Sequence, residues 1–359
     1  MKSEISGLSF LDKSMPVFDL QKRLLHWYAI FVAASVLVLI CSGGLVTSHG
    51  AGMAVPDWPN SFGYNMFLFP ISRWVRGVLF EHTHRLIASG VGLLTVALCI
   101  LTWVIEDRRW VKWLATIAVL VVIVQGVLGG LRVTEHNALL GLFHGCLAQG
   151  YFALMATVAL VTSRFWRRIK PVSDERDVRR LRFWTVTLTV MLFIQLALGA
   201  SMRHAHTGLS IPDFPTAYGR IFPPIDDVSL AKINEARVSQ NEPAISSSLI
   251  LLQYIHRVWA VLIVAGLIWV ALNIFRQRQL PGSVRWTAVC WVVMVLAQFA
   301  LGAWTIWSNK AADIATSHVF IGALTFMTGV LLSVVFSETL GRALREDLPG
   351  NARREAARA

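Results

Sequence analysis

Gly52-Met53-Ala54-Val55-Pro56-Asp57-Trp58-Pro59 returns later in the chain as Gly208-Leu209-Ser210-Ile211-Pro212-Asp213-Phe214-Pro215. A stiff, Pro-flanked octapeptide that recurs with its Gly, both Pro, the Asp and an aromatic in place marks an internal duplication. Moving outward, Glu81-His82-Thr83-His84-Arg85 aligns with Gln253-Tyr254-Ile255-His256-Arg257. Further on, Gln125-Gly126-Val127-Leu128-Gly129-Gly130 aligns with Gln298-Phe299-Ala300-Leu301-Gly302-Ala303, and His144 with His318. The repeat distance is about 156 to 174 residues in a chain of 359.

Each copy is threaded through lipid. Hydrophobic residues make up 55% of the chain and charged residues only 15%, which excludes an ordinary soluble domain. Eight charge-poor runs are long enough to cross about 30 Å of hydrocarbon as helices. They are Leu24 to Val46, Arg85 to Ile105, Trp113 to Leu131, Ala138 to Ser163, Phe183 to Met202, Leu249 to Phe275, Trp286 to Ser308 and Ile314 to Thr339. Four spans per copy predict an all-α integral membrane protein of two tandem four-helix bundles. An even number of spans gives both copies the same orientation, related by a pseudo-twofold axis along the membrane normal. The expected organisation is an N-terminal segment 1–23, a first bundle 24–163, a basic linker 164–182, a second bundle 183–339 and a tail 340–359. A polar insertion from Asp226 to Ala244 belongs to the second copy alone.

With the N-terminus inside, the inner segments hold 23 of the 33 Lys and Arg residues, although the longest loops are outer ones. The positive-inside rule therefore predicts both termini in the cytoplasm, and the formal charge of +12 reflects topology rather than nucleic-acid binding. The polar start, with Lys2, Glu4, Asp12, Lys13 and Asp19, fits neither a signal peptide nor a transit peptide. Cys41, Cys99, Cys146 and Cys290 fall inside predicted helices at unrelated spacings, so they suggest buried thiols rather than a zinc site or a disulfide.

The four repeated histidines, His84, His144, His256 and His318, lie at similar depth near the outer ends of their helices. A lone membrane histidine is usually a helix contact, but two per half, duplicated, call for a shared partner. Two imidazoles with no added Cys or carboxylate suit the iron of a haem better than a bare metal ion. Gly141, Gly145, Ser89, Gly90 and Gly322 beside them leave room for a macrocycle or for close helix packing. Arg85 and Arg257 directly follow two of the histidines and suit haem carboxylates, or else snorkel to headgroups. Glu81 stands where the second copy has Gln253, so the halves differ in chemistry: a carboxylate can accept a proton and a glutamine cannot. The bland alternative for Glu81 is a helix-start partner of the macrodipole. His82 adjoins this site, while His204, His206, His26, His49 and His136 flank helix ends.

Taken together, the duplication, the Glu81-x-x-His84-Arg85 opening, the Pro56-Asp57-Trp58-Pro59 loop and the four histidines make this chain resemble the haem A synthases, over nearly its whole length. The resemblance implies oxidation of the C8 methyl of haem O to the formyl of haem A by successive hydroxylations, in a bacterial cytoplasmic membrane. It implies His84 and His144 as ligands of the substrate haem with Glu81 beside it, and His256 and His318 as ligands of a resident haem b. It further implies as partners the farnesyltransferase that forms haem O, an electron donor and a second copy of the chain. Many bacterial members carry cysteines where this sequence has Val55 and Ser61, so any role of that thiol pair is missing here. Two other classes compete: a dihaem b electron carrier, which needs the histidines but not Glu81, and a membrane transporter, which needs no haem.

Overall fold

Backbone polar groups in hydrocarbon must be satisfied within the segment, so apolar runs of this length fold as helices. The computed structural model describes residues 11–171, 175–205 and 207–346, with side chains from 19 to 345. His206, residues 172–174 of the expected linker, and residues 1–10 and 347–359 of the expected terminal segments lie outside the described residues. The helices are α1 (Leu11–Ser48), α2 (Gly77–Ile105), α3 (Arg109–Thr134), α4 (Ala138–Thr162), the single turn α5 (Arg164–Arg167), α6 (Glu175–His204), α7 (Asp227–Ser239), α8 (Ser247–Arg276), α9 (Gly282–Trp307) and α10 (Ala312–Glu346). Eight of them, all but α5 and α7, are long and apolar enough to cross a membrane, and the chain is a multi-pass membrane protein.

Four helix ends run well past the spans read from hydropathy, among them α1, which begins at Leu11 rather than Leu24, and α10, which ends at Glu346 rather than Thr339. Helix α2 begins at Gly77 rather than Arg85, and α6 at Glu175 rather than Phe183. Hydropathy marks where a helix is in lipid, whereas backbone hydrogen bonding continues beyond it into polar sequence. His84 therefore sits two turns inside α2 rather than at its start. The segment read as a polar insertion holds α7, capped by the Asp226 side chain accepting from Ser229 N at 2.9 Å. Leu230 and Ile233 of α7 pack on a small core of Ile211, Ala217, Ile245 and Ile250.

Helices α1, α2, α3 and α4 close a ring, each packed on the next and α4 on α1; α6, α8, α9 and α10 close a second ring in the same way. The rings meet through α4 on α10, α1 on α10 and α4 on α6. This pattern is compatible with two copies related by an axis passing between α4 and α10. Half or more of the apolar stretch of α4 and α10 is buried, against a third or less in the other six. Polar side chains in this interior are satisfied locally: Thr95, Thr157 and Thr189 each donate to the carbonyl four residues earlier, at 2.7, 2.8 and 2.7 Å. Trp291 Nε1 donates to Thr325 O at 2.8 Å, tying α9 to α10.

Candidate functional site

The loops at one end of the bundles are folded alike because they share the same turn residues. In the first, Asp57 accepts from Phe62 N at 2.7 Å and Gly63 N at 2.8 Å, and Ser61 bridges to Tyr64. In the second, Asp213 accepts from Tyr218 N at 2.7 Å and Gly219 N at 2.9 Å, and Ala217 bridges to Arg220. Burial raises the Asp57 carboxyl, but the Gly63 and Phe62 amides and Arg85 outweigh it and hold Asp57 below the ordinary carboxylate range. Asp213 is held low in the same way, burial being outweighed by Thr216 and by the Gly219 and Tyr218 amides.

The helices below these loops clamp them at one backbone amide. Glu81 of α2 accepts from Val55 N at 2.9 Å; Gln253 of α8 accepts from Ile211 N at 2.7 Å. Both side chains are buried. Glu81 is therefore a loop clamp rather than a helix-start partner. Arg85 is committed to the same loop, donating to Asp57 O at 2.6 Å, Asn60 O at 3.1 Å, Val55 O at 2.8 Å and Glu81 Oε1 at 2.8 Å. Arg257 donates to Thr216 O at 2.9 Å and Ile211 O at 3.1 Å, and lies 5.5 Å over the Phe214 ring. Val55 and Ser61 of the first loop are fully buried. His82 is core to that loop: its ring lies 5.0 Å from Phe69 and 4.7 Å from Trp74, with Nδ1 3.2 Å from Ser61 Oγ.

The four repeated histidines fall into the two expected pairs. His84 on α2 and His144 on α4 belong to the first ring of helices, His256 on α8 and His318 on α10 to the second. One construction serves all four rings. A Cβ placed on Gly43 would lie 3.1 Å from His84 Cε1; on Gly129, 3.1 Å from His144 Cε1; on Gly199, 3.2 Å from His256 Cε1; on Gly302, 3.2 Å from His318 Cε1. In each case the glycine belongs to the preceding membrane helix, and its missing side chain leaves room for the Cε1 edge of the imidazole. Of the small residues singled out beside the histidines, Gly141 and Gly322 are close-packing sites, whereas Gly90 and Gly145 meet nothing within 4 Å.

One turn before three of those glycines stands a glutamine. Gln125 Nε2 donates to His144 O at 3.2 Å, while His144 Nδ1 lies 3.2 Å from Gln125 O. Gln195 Nε2 donates to His256 O at 3.0 Å, and Gln298 Nε2 lies 3.4 Å from His318 Nε2. The fourth position is Leu39, so His84 has no such partner. Gly43, Gly199 and Gln195 were missed in the sequence, although a Gln-x-x-x-Gly spacing repeated before each histidine helix would have located two of the three.

Buried polar atoms in proteins are nearly always hydrogen-bonded, so orphans point to a missing partner. His84 Nδ1, His256 Nδ1 and His318 Nδ1 are buried without one. Imidazoles seated on glycine, three of the four with a buried ring nitrogen that no protein group satisfies, are a donor set that suits a haem iron. The residues present therefore fit a haem in each half.

Residues 26–330 match the family described as cytochrome oxidase assembly protein. The chain is similar to the heme A synthase of Bacillus cereus (strain AH187), 25% identical over 311 residues that cover 84% of this chain and 90% of that protein. It is also similar to the heme A synthases of Alkalihalophilus pseudofirmus, 24% identical over 313 residues covering 85% and 96%, and of Bacillus mycoides, 25% over 311 residues covering 84% and 90%.

Proposed function

The chain belongs to the cytochrome oxidase assembly protein family, and from that premise we propose that it is a haem A synthase, oxidising the C8 methyl of haem O to a formyl group. In each of two successive hydroxylations of monooxygenase type, dioxygen gives one oxygen atom to a C–H bond of that methyl and two electrons from the donor reduce the other to water; the geminal diol then loses water to leave the aldehyde. Haem A made in this way supplies a terminal oxidase. The relatives' names and the paired histidines on glycine seats support the reading together.

In this proposal the halves divide the work. The first bundle, 24–163, holds the substrate haem through His84 and His144, and the second, 183–339, holds a resident haem b through His256 and His318. The basic segment 164–182 links them, and segments 1–23 and 340–359 lie on the cytoplasmic side of a bacterial inner membrane. A bound haem supplies redox capacity; the protein supplies position and electrostatics. Arg85 and Arg257 shape the cover of each pocket by pinning its loop, which excludes water from the carboxylate-bearing edge. Glu81 contributes the chemistry that the second half lacks: a carboxylate that can take up a proton released at the reacting methyl, or balance positive charge there. The haem O-forming farnesyltransferase and an electron donor act as partners, and the chain assembles with further copies of itself.

The observation that carries the division of labour is the pair Glu81 and Gln253, one clamp built from two chemistries. Glu81→Gln should insert, fold and keep its resident haem b, because a glutamine already makes this contact in the second half. It should nevertheless lose at least nine-tenths of its haem A, as expected when a positioned acid–base group worth 10²–10⁴-fold is removed. The check is extracted haem composition in cells that co-express the variant with a haem O-forming enzyme, at matched membrane levels. Undiminished haem A would remove Glu81 from the chemistry, whereas absence of haem A with the wild type would favour a dihaem electron carrier.

A further inference from the structure

Arg132 is a cation without a counter-ion. It occupies the last turn of α3, its Nε is buried without a hydrogen-bond partner, and none of the ion pairs among the described residues includes it. Glu81 spends its two oxygens on Val55 N and Arg85 and makes no ion pair with Arg132. A guanidinium in this position ordinarily snorkels to water, leaving its Nε solvated. Here it is held inward.

Two glycines make that possible. A Cβ on Gly52 of the first loop would lie 2.3 Å from Arg132 Nη2, and one on Gly141 of α4 would lie 3.0 Å from Nε. A side chain on Gly52 would displace the guanidinium, and one on Gly141 would meet His204 Cε1 first, at 2.5 Å, and then press on Arg132 Nε. The seat adjoins the first histidine pair: Gly141 stands one turn before His144 on α4, and Arg132 stands one turn after Gly129, where a Cβ would lie 3.1 Å from His144 Cε1.

The second half reaches the same arrangement by another route. Gly208, the repeat counterpart of Gly52, has Lys310 against it, 3.3 Å from Cδ to the position of a Cβ. Arg132 follows Gly129 by three residues and Lys310 follows Gly302 by eight, so the two cations are not equivalent in the repeat. Each half nonetheless delivers one cation to the same loop glycine, Arg132 from the last turn of α3 and Lys310 from just past the end of α9.

We propose that Arg132 is the carboxylate-binding residue of the first half, receiving a propionate of the porphyrin held by His84 and His144, with Lys310 as its counterpart in the second half. The chemistry is a charge-assisted hydrogen bond from a planar donor to a carboxylate. The inference rests on the haem reading of the two pockets and assigns the polar end of each ligand, which Arg85, committed to its loop, does not provide.

The test compares haemin with haemin dimethyl ester, which lacks free carboxylates, in Soret titrations of detergent-purified protein retaining its resident haem. The component lost in His84→Ala identifies the first-half site. Wild type should bind haemin about tenfold or more tightly than the ester, and Arg132→Gln should weaken haemin about tenfold while leaving the ester unchanged. Arg132→Lys should keep most of the preference. Lys310→Gln should hasten loss of the resident haem and leave the first-half titration as it was. Equal weakening of haemin and ester by Arg132→Gln, or no effect on either, overturns the proposal in favour of a packing role. Absence of any His84-dependent component in the wild type would instead remove the haem reading itself, a distinct outcome.

Discussion

Glu81 and Gln253 hold the two loops by the same bond, a buried side-chain oxygen accepting from a backbone amide, at 2.9 and 2.7 Å. Around them the halves diverge. Gln253 uses its amide nitrogen to donate to Gly208 O at 3.2 Å and Ile211 O at 3.3 Å, so its polar capacity is absorbed by the loop. Glu81 has no donor when ionised and turns its second oxygen to Arg85. Because a neutral side chain meets the architectural need in one half, the charge in the other is surplus to architecture. Buried charge is expensive, and its presence in only one copy, paired with Arg85 at 2.8 Å, is the difference on which the proposed division of labour rests.

The histidine helices differ in a second way. Three of them are tied to the preceding helix by a glutamine one turn before the seating glycine, and the fourth, carrying His84, faces Leu39. The half with the surplus charge is thus also the half with a loosely tied histidine, as befits a pocket whose occupant is exchanged. The second half, with both rings tied, suits an occupant that stays.

The largest effect expected from this comparison is on resident haem. His318→Ala or His256→Ala removes an iron ligand and should strip most b-type haem from purified protein, whereas His84→Ala should leave the resident haem and its spectrum largely intact. Haem quantified by the pyridine haemochrome method at equal protein decides the matter. Loss of resident haem from His84→Ala with retention in His318→Ala would reverse the assignment of the halves.

Much of this was legible in the sequence, because the features concerned are periodic or repeated. The eight spans follow from length and hydropathy, and the four histidines and both loops from self-alignment. The glycine seats were half legible: Gly129 and Gly302 stand in the aligned motifs, while Gly43 and Gly199 are recognisable only once each histidine is known to face the preceding helix. Helix α7 was hidden because its polar sequence carries no membrane signal and its small core draws on Ile211, Ala217, Ile245 and Ile250 from separate segments. Arg132 and Lys310 were beyond reach of any alignment, since they come from non-equivalent positions and converge only in space.

A smaller effect should be common to both halves. Asp57 and Asp213 are each held below the ordinary carboxylate range by the amides they accept from. A carboxyl with a depressed folded value stabilises its loop above the unfolded value, about 3.9, and loses that contribution as pH falls through the folded value. Both loops should therefore be insensitive to pH from neutrality down to about 4 and should loosen together below it. Hydrogen exchange of the Phe62, Gly63, Tyr218 and Gly219 amides would report this, and loosening of one loop alone would show that the shared cap does not set their acid stability.

The smallest effect, and the sharpest test of the comparison, exchanges the residues one turn before the seating glycines. Gln195→Leu gives the second half the arrangement of the first, and Leu39→Gln does the converse. Interhelical hydrogen bonds within membranes contribute about 0.6 kcal/mol on average, because the separated helices find other partners. Such an increment corresponds to a change of about threefold in an equilibrium or a rate. Gln195→Leu should therefore release resident haem to an acceptor such as apomyoglobin about threefold faster than wild type, while Leu39→Gln should slow release from the first half by a similar factor. Neither change alters an iron ligand, so the bound spectrum should be preserved, which separates a tethering effect from loss of ligation. Faster release from both variants would mean that each residue serves only local packing, and the difference between a retained and an exchanged haem would then have to come from Glu81 and the loops alone.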